Sequence, residues 1–379
     1  MLKGVDYVRS MLKTLFIIEK TNKKNIFACL IVALCIIGMV VYANATELGN
    51  PIKEKSSESL PVKVAMNKFQ IVDASEYGDG SDIYKNIVKQ YYTYPKQGMA
   101  LKTEQPELFI DTAIELTELR KQAFEMDNYN LVAGNLPSKI ENEMDSSYYK
   151  YLKQHSLELS FGSLSFYPFL AFLFSVVGSV WFVLICIYSS NIMIEDFRHI
   201  SIIKGYPIAF SKYVLAKCMT SMSIVVIFII ELIICSLPLI YFKGLGQASY
   251  PVAVFNGDVM IYPIYKYIAV SIIYMIVLAI FAILLSVILN VLLKNVYLTI
   301  FVQVMLVVLP ILFPGLIELI PFNPFNYVNF PSVLNGESLN LATPVALNSN
   351  AGLLYLCISI GLLMAIIKWV LSTGKLQKI

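Results

Sequence analysis

Six long apolar runs constrain this 379-residue chain more than any other feature of its sequence. A helix needs about 20 mostly apolar residues to cross ~30 Å of hydrocarbon, because every backbone amide must find its hydrogen-bond partner within the segment. The predicted spans lie at 26–43, 168–192, 214–242, 264–290, 296–320 and 351–371. The composition agrees, since only 15% of the residues are charged and soluble domains carry nearer a quarter. The sequence therefore predicts an all-α polytopic membrane protein with six transmembrane helices.

The distribution of basic residues predicts the orientation of these spans, because short loops rich in Lys and Arg stay on the cytoplasmic side. Basic residues concentrate before the first span, in the segment 193–213 and in the tail 372–379. The loops 243–263 and 321–350 share a single basic residue, Lys243. We therefore expect a multi-pass protein of the cell membrane with both termini in the cytoplasm. The net charge of +3 is too small to suggest nucleic-acid binding.

The leader, residues 1–25, carries an amphipathic pattern. Its apolar residues fall near one helical face and most of its charged residues fall elsewhere; the apolar set is Val5, Val8, Leu12, Leu15 and Phe16. This predicts a helix in the membrane interface, with basic side chains toward anionic lipid headgroups. The alternative is an amphipathic helix that packs on the protein's own core.

The first span could instead belong to a signal peptide, since Ala43-Asn44-Ala45 has the small-x-small form of a cleavage site. The apolar run exceeds the roughly 7 to 15 residues of a signal peptide, and a long basic leader precedes it. We therefore expect the span to remain as an anchor.

Residues 45–165 mix acids and bases and contain no apolar run of span length, which predicts an extracytoplasmic domain between spans one and two. Helical patterns cover Ser81–Tyr92 and Pro106–Met126, and a third helix is expected in 136–156. A short strand is predicted near Val62–Val72. The domain should be mainly helical, and the remaining spans should form a bundle over 214–371.

Motifs for catalysis are missing from the sequence. The phosphate-binding pattern G-x-x-x-x-G-K-[ST] has no match, and His155 and His199 are the only histidines. The six cysteines lie in or beside predicted spans, without the spacing of a metal site. We expect the chain not to be an enzyme and to carry no cofactor or metal of its own.

The cytoplasmic segment 193–213 contains the sequence IEDFRHISIIKGYPIAFSKY, an acid-and-base cluster followed by a Gly-Tyr-Pro turn. This arrangement, together with the layout of the spans, resembles the coupling segment of type 2 ABC transporter permeases, the membrane subunits of bacterial ABC exporters. The sequence lacks the Gly-Thr pair that many members have after the cluster. The residues that match the pattern are Glu195, Asp196, Phe197, Arg198, Lys204, Gly205 and Pro207.

The resemblance implies two kinds of protein partner. One is a separate ABC ATPase subunit, which binds ATP and Mg and contacts the coupling segment. The other is a second permease chain, in a homodimer or a heterodimer. Membrane lipids are the third expected partner.

Two further features lie in the predicted spans. Glu231 is central in the third span, where a charge is costly, so we expect it to face protein or water. It either lines a pathway or contacts a second permease chain, or it is a protonated or hydrogen-bonded residue that packs between helices. Pro310 and Pro314 free backbone carbonyls near the end of the fifth span, with Glu318 beyond them. These three residues are the predicted outer gate.

The predicted function is therefore the permease subunit of an ABC exporter, with a peptide or a lipid-like amphipathic molecule as cargo. The alternative is a membrane sensor or immunity protein whose external domain binds a ligand without transport. An ion-coupled carrier is less consistent with the sequence, because the spans hold one central acid and show no inverted repeat.

Overall fold

The computed structural model describes residues 2–51, 59–71, 81–157, 159, 164–199, 209–313, 322–336 and 347–372. The helices up to the predicted third span are α1 (Leu2–Thr21), α2 (Lys23–Thr46), α3 (Ser59–Ile71), α4 (Asp82–Lys102), α5 (Pro106–Ala123), α6 (Lys139–Gln154), α7 (Phe166–Ser189), α8 (Ile194–Arg198), α9 (Phe210–Ile234) and α10 (Pro238–Lys243). They are followed by the strands β1 (Pro251–Phe255) and β2 (Val259–Pro263) and the helices α11 (Ile264–Leu293), α12 (Val296–Leu312), α13 (Phe330–Leu334) and α14 (Ser349–Ser372). Three short 3₁₀ turns lie at Tyr129–Leu131, Ala133–Asn135 and Pro324–Tyr327.

Among the described residues, five helices are long and apolar enough to cross a membrane: α2, α7, α9, α11 and α14. The predicted class, a helical multi-pass membrane protein, is confirmed at this level. The predicted fifth span, 296–320, corresponds to the 17-residue helix α12, which rises about 25 Å at ~1.5 Å per residue. The number of six spans and the division of the chain into domains stay predictions.

Hydrogen bonds outside the helices show that the first three of these spans, α2, α7 and α9, alternate in direction. The amide of Leu164 donates to the carbonyl of Leu48 (2.8 Å), and that of Phe166 donates to Gly244 (3.1 Å). The start of α7 therefore lies beside the ends of α2 and α10. We call this end of the bundle the hairpin end, after β1 and β2, and the opposite end, where α7 turns into α8, the turn end.

Helix α11 is the centre of the bundle. It is the most buried of the five spans, whereas α14 is the least buried. Apolar side chains occur all around α11, and a helix of that kind is stable only when other helices or lipid surround it. Packing against α11 therefore organises the other spans, with α7 and α14 on its sides.

The leader is helical, as predicted, and α1 packs against α9 as well as α2. Leu12 and Leu15 are half-buried, while Phe16, Ile17 and Ile18 are exposed. Leu12 and Leu15 are half-buried because the helix packs on the protein's own bundle, which was the alternative prediction for this helix. Its position in a membrane interface stays a prediction.

Helices α4, α5 and α6 confirm the three helices predicted between the first two spans. Ser81 caps α4 by accepting from the amide of Tyr84, and Ser138 and Glu141 form a capping box at the start of α6. The predicted strand near Val62–Val72 is wrong as far as the structure describes it, because α3 covers Ser59–Ile71. Val62, Ala65 and Phe69 are buried, which is a helical spacing and not the alternation of a strand.

The hairpin was not predicted from the sequence. Strands β1 and β2 pair antiparallel from Pro251 opposite Pro263 to Phe255 opposite Val259. The loop 321–350 contains short helical turns, and its residues 321 and 337–346 lie outside the described ranges. Phe330 of α13 stacks on Tyr274 of α11 with ring centroids 5.2 Å apart, so this loop packs onto the spans.

Candidate functional site

Helix α8 follows α7 after a short turn and divides its side chains between surface and interior. Glu195, Arg198 and the following His199 are exposed. Ile194 and Asp196 are buried, and Phe197 is half-buried against the core of the bundle. The helix therefore exposes one acid, Glu195, and one base, Arg198, while its other face packs against the spans.

Asp196 is bound to α9. Its Oδ2 atom lies 2.5 Å from Nζ of Lys217, and its Oδ1 atom accepts a hydrogen bond from the hydroxyl of Tyr213 (3.0 Å). Lys217 also donates to the carbonyl of Ile192 (3.0 Å). Burying two charges is unfavourable unless they are paired and hydrogen-bonded, as they are here. Asp196 therefore anchors α8 to α9, and its predicted part in the contact with an ATPase subunit stays a prediction.

Asn290 fixes the turn that precedes α8. Its Oδ1 atom accepts from the amide of Met193 (3.0 Å), and its Nδ2 atom donates to the carbonyl of Ser190 (2.7 Å). The same Nδ2 atom donates to Oγ1 of Thr299 (3.1 Å). One fully buried amide thus connects the turn to α11 and α12.

Two further groups of contacts extend this arrangement. Deeper in the bundle, the hydroxyls of Ser189 and Ser286 are 2.7 Å apart, and Nε2 of Gln303 donates to Oγ of Ser286 (2.8 Å). Nearer the surface, Nζ of Lys24 donates to the carbonyl of Tyr188 (3.2 Å) and to Oδ1 of Asn191 (3.0 Å). All these contacts together form what we call the turn network. It comprises Lys24, Tyr188, Ser189, Ser190, Asn191, Ile192, Met193, Asp196, Tyr213, Lys217, Ser286, Asn290, Thr299 and Gln303.

Most of the remaining predicted coupling and gate residues lie outside the part of the chain that the structure describes. Lys204, Gly205, Pro207, Pro314 and Glu318 lie outside the described residues. Pro310 lies in the last turn of α12, which ends two residues later at Leu312. The predicted outer gate therefore stays a prediction.

Glu231 lies in α9 and is half-buried. Helix α9 packs against α2, the first span. Its Oε2 atom is buried without a hydrogen-bond partner among the described residues. A role in a pathway or in contact with a second chain stays a prediction.

Sequence reasoning missed most of the turn network. Lys217, Asn290, Thr299 and Gln303 were not among the predicted site residues. The available signal was the presence of isolated amides in apolar runs, because polar groups in membrane helices usually bond to neighbouring helices. The partners themselves are distant in sequence and could not be identified from it.

The hairpin end also connects elements that are far apart in sequence. Tyr148 of α6 and Tyr250, just before β1, are hydrogen-bonded through their hydroxyls (3.2 Å). Oδ1 of Asn256, between the strands, accepts from the Ser349 hydroxyl (2.9 Å) and from the Asn350 amide (3.3 Å) at the start of α14. The hairpin thus links the helices between the first two spans to the last span.

A cavity of about 430 Å³ lies among α5, α6 and the residues after α6. Its lining is mixed in polarity and comprises Pro106, Glu107, Ile110, Asp111, Leu152, Lys153, Ser156 and Leu157. Lys153 and Asp111 form an ion pair at 2.7 Å. Its volume falls within the range of small-molecule pockets in proteins.

Comparisons of this chain with protein-family models, curated proteins and solved structures found no match.

Proposed function

We propose that this chain is the permease subunit of an ABC exporter and that a separate ATPase subunit drives it. The observation that supports this most is α8, a short charged helix whose exposed residues Glu195 and Arg198 lie beside a buried anchor, Asp196. Exposed charges of both signs can fix the register of a docked partner, while the half-buried Phe197 adds apolar area.

The turn network supplies a physical route for coupling. Through Lys217, a displacement of α8 would be transmitted to α9, and through Asn290 it would be transmitted to α11 and α12. Side chains in the described part of the bundle are closely packed, and packed helices respond to a push as rigid units that slide or rotate. Closure of the ATPase would in this way move three helices together.

The proposed assembly contains two permease chains and two ATPase subunits in the cell membrane, with both permease termini in the cytoplasm. The cargo is a peptide or a lipid-like amphipathic molecule, since the spans are apolar and the described segment between the first two spans is mainly helical. ATP and Mg bind to the partner ATPase and not to this chain.

Copurification and ATP hydrolysis test the proposal. The chain, gently solubilised from its native membrane, should carry a soluble subunit with a nucleotide-binding loop and show ATPase activity. Reversing both exposed charges, Glu195→Lys with Arg198→Glu, should release that subunit. The matched control reverses two exposed charges outside the site, Lys89→Glu with Glu143→Lys, and should retain it. A pure single chain that transports in liposomes without ATP would rule the proposal out.

A membrane sensor is the second candidate, and the hairpin end favours it. The cavity beside α5 and α6 could bind a ligand, and the contacts of Tyr250 and Asn256 connect that region to α14. In this case, the partner of α8 would be a kinase or a regulator without a nucleotide-binding loop of the ABC type. Sequencing the protein that copurifies distinguishes the two candidates.

A further inference from the structure

Helix α10 divides its apolar side chains between the core and the surface. Leu239 is 1% exposed and belongs to the core of the bundle, against which Ile240 also packs. Tyr241 and Phe242 are 89% and 58% exposed, and their ring centroids are 5.4 Å apart. Leu237, directly before the helix, is exposed as well. Adjacent exposed apolar side chains of this kind mark a binding surface.

The length of the chain places α10 at the edge of the hydrocarbon. Helices α9 and α10 together cover 34 residues, Phe210–Lys243, which would rise about 51 Å as one straight helix. The hydrocarbon is only ~30 Å thick, and about 20 residues of helix cross it. Counted from Lys217, the last basic residue near the start of α9, these residues end at about Leu237. Helix α10 therefore begins where the hydrocarbon ends.

Two neighbouring spans reach their ends at the same level as α10. The carbonyl of Gly244, the residue after α10, accepts a hydrogen bond from the amide of Phe166 (3.1 Å), and that of Leu245 accepts one from Tyr167 (3.2 Å). Phe166 is the first residue of α7, and the end of α2 lies beside the same point. The start of α7, the end of α2 and α10 thus lie together at one boundary of the membrane-spanning region.

Exposed tyrosines recur at this boundary. Tyr42 lies one turn before the end of α2 and Tyr265 is the second residue of α11, and their side chains are 60% and 61% exposed. Tyrosine is enriched where hydrocarbon meets lipid headgroups, because its ring is apolar and its hydroxyl is polar. Lys243 ends α10, and a lysine at such a position keeps its ammonium group in the polar layer. The chemistry of the boundary therefore matches a lipid interface.

We propose that α10 is a membrane-interface anchor, with Tyr241 and Phe242 inserted between the lipid headgroups and the acyl chains. The anchor also sets the depth of α7, because the backbone of Gly244 and Leu245 is hydrogen-bonded to the first residues of that helix. It requires only a multi-pass chain and does not rest on the proposed transport function. A soluble protein partner fits less well, because lipid surrounds the ends of the spans at this level.

Quenching of tryptophan fluorescence by brominated lipids measures the depth of α10. The two native tryptophans, Trp181 and Trp369, are changed to phenylalanine in the full chain, and Tyr241→Trp then provides the probe. The chain is reconstituted into phosphatidylcholine vesicles whose lipid carries bromine either near the glycerol end or near the methyl end of the acyl chains. Two other exposed positions provide references: Leu34→Trp at the centre of α2 and Tyr92→Trp on α4.

In the Tyr241→Trp chain, bromine near the glycerol end should quench about twofold more strongly than bromine near the methyl end, because interfacial groups insert only about 5–10 Å. The Leu34→Trp chain should show the reverse order, because its probe lies in the middle of a span. The Tyr92→Trp chain should be quenched by neither lipid, because α4 lies outside the spans.

Three outcomes would overturn the proposal. Quenching of the Tyr241→Trp chain as weak as that of the Tyr92→Trp chain would place α10 in water or under a protein partner. The order of quenching seen with Leu34→Trp would place α10 inside the hydrocarbon. Quenching that falls as the protein density in the vesicles rises would show that a second copy covers α10. If the chain without its native tryptophans does not fold, the unaltered chain is crosslinked to a lipid with a photoreactive group beside its glycerol; adducts on Tyr241 or Phe242 support the anchor, and their absence contradicts it.

Discussion

The two ends of the bundle are held together by different interactions. At the turn end, amides, hydroxyls and a buried ion pair connect α7 and α8 to α9, α11 and α12. At the hairpin end, the hydrogen bonds of Tyr250 and Asn256 lie toward the surface, and aromatic rings pack closely, as in the stack of Phe330 on Tyr274 and the contact of Tyr327 with Tyr355. Hydrogen bonds specify one geometry, whereas apolar packing tolerates small sliding movements. The difference suggests a turn end that moves as one unit and a hairpin end that adjusts to it.

The largest expected effect comes from breaking the buried ion pair. Lys217→Met leaves Asp196 buried without its cation, and removal of one partner of such a pair costs about 3–5 kcal/mol. Thermal unfolding of the purified chain should show a large drop in midpoint. Adding Asp196→Asn should recover much of the loss, and the exposed control Lys63→Met should have no effect. Normal stability in Lys217→Met would mean that the pair does not hold the turn end.

A matched pair of glycine substitutions in α14 tests the packing of the hairpin end. A Cβ atom at Gly352 would collide with the Tyr274 hydroxyl and the Tyr327 ring, so Gly352→Ala should cost about 1–3 kcal/mol. Gly361 lies in the same helix with nothing near its Cβ position, and Gly361→Ala should be neutral or stabilise by up to about 1 kcal/mol. Thermal unfolding of both variants measures the difference. Equal effects would contradict the close packing at Gly352.

A smaller effect is expected where α6 meets the hairpin. Tyr148→Phe removes the hydroxyl contact with Tyr250 and should cost about 0.5–1.5 kcal/mol. Burial and the neighbouring Tyr250 raise the pKa of Tyr148 well above its ordinary value, so this hydroxyl is protonated throughout the physiological range. Limited proteolysis between α6 and α7 should become faster, while the exposed Tyr92→Phe should leave it unchanged. An unchanged rate of proteolysis in Tyr148→Phe would show that this hydroxyl contact does not hold α6 against the hairpin.

The smallest effect concerns Glu118 and Lys150, which lie 2.6 Å apart on α5 and α6. The hydrogen bond from Lys150 lowers the pKa of Glu118 from its ordinary value of 4.5. The pair therefore adds stability above about pH 4.5, and this contribution is lost as the pH falls through the lowered pKa. Because both side chains are exposed to solvent, it should amount to a few tenths of a kcal/mol. Glu118→Gln should make the free energy of unfolding less dependent on pH on the acid side. An unaltered pH dependence would show that the pair contributes nothing.

The sequence predicted the helices well where periodicity and caps are local. The span pattern and the helices over Ser81–Tyr92 and Pro106–Met126 depend on neighbours within a few positions. The strand near Val62 was wrong because Val62, Ala65 and Phe69 have the helical spacing that buries one face of α3. The hairpin was missed because its apolar run was read as part of a loop.

The candidate site could be predicted only in part. The exposed charges Glu195 and Arg198 follow from the local pattern, but the burial of Asp196 does not. Its partners Tyr213 and Lys217 lie 17 and 21 positions away, and Asn290 is about 100 positions from the turn that it fixes. Such contacts depend on which spans are neighbours, and apolar periodicity does not determine that.

Site-specific photocrosslinking at Arg198 in intact cells tests the central claim most directly. A photoreactive amino acid at this exposed position should form an adduct with a soluble protein that contains a nucleotide-binding loop, identified by mass spectrometry. The same amino acid at Leu354, exposed on the side of α14, should not form that adduct. An adduct at Arg198 with a kinase or regulator, or labelling of Arg198 from outside the cell, would contradict the account.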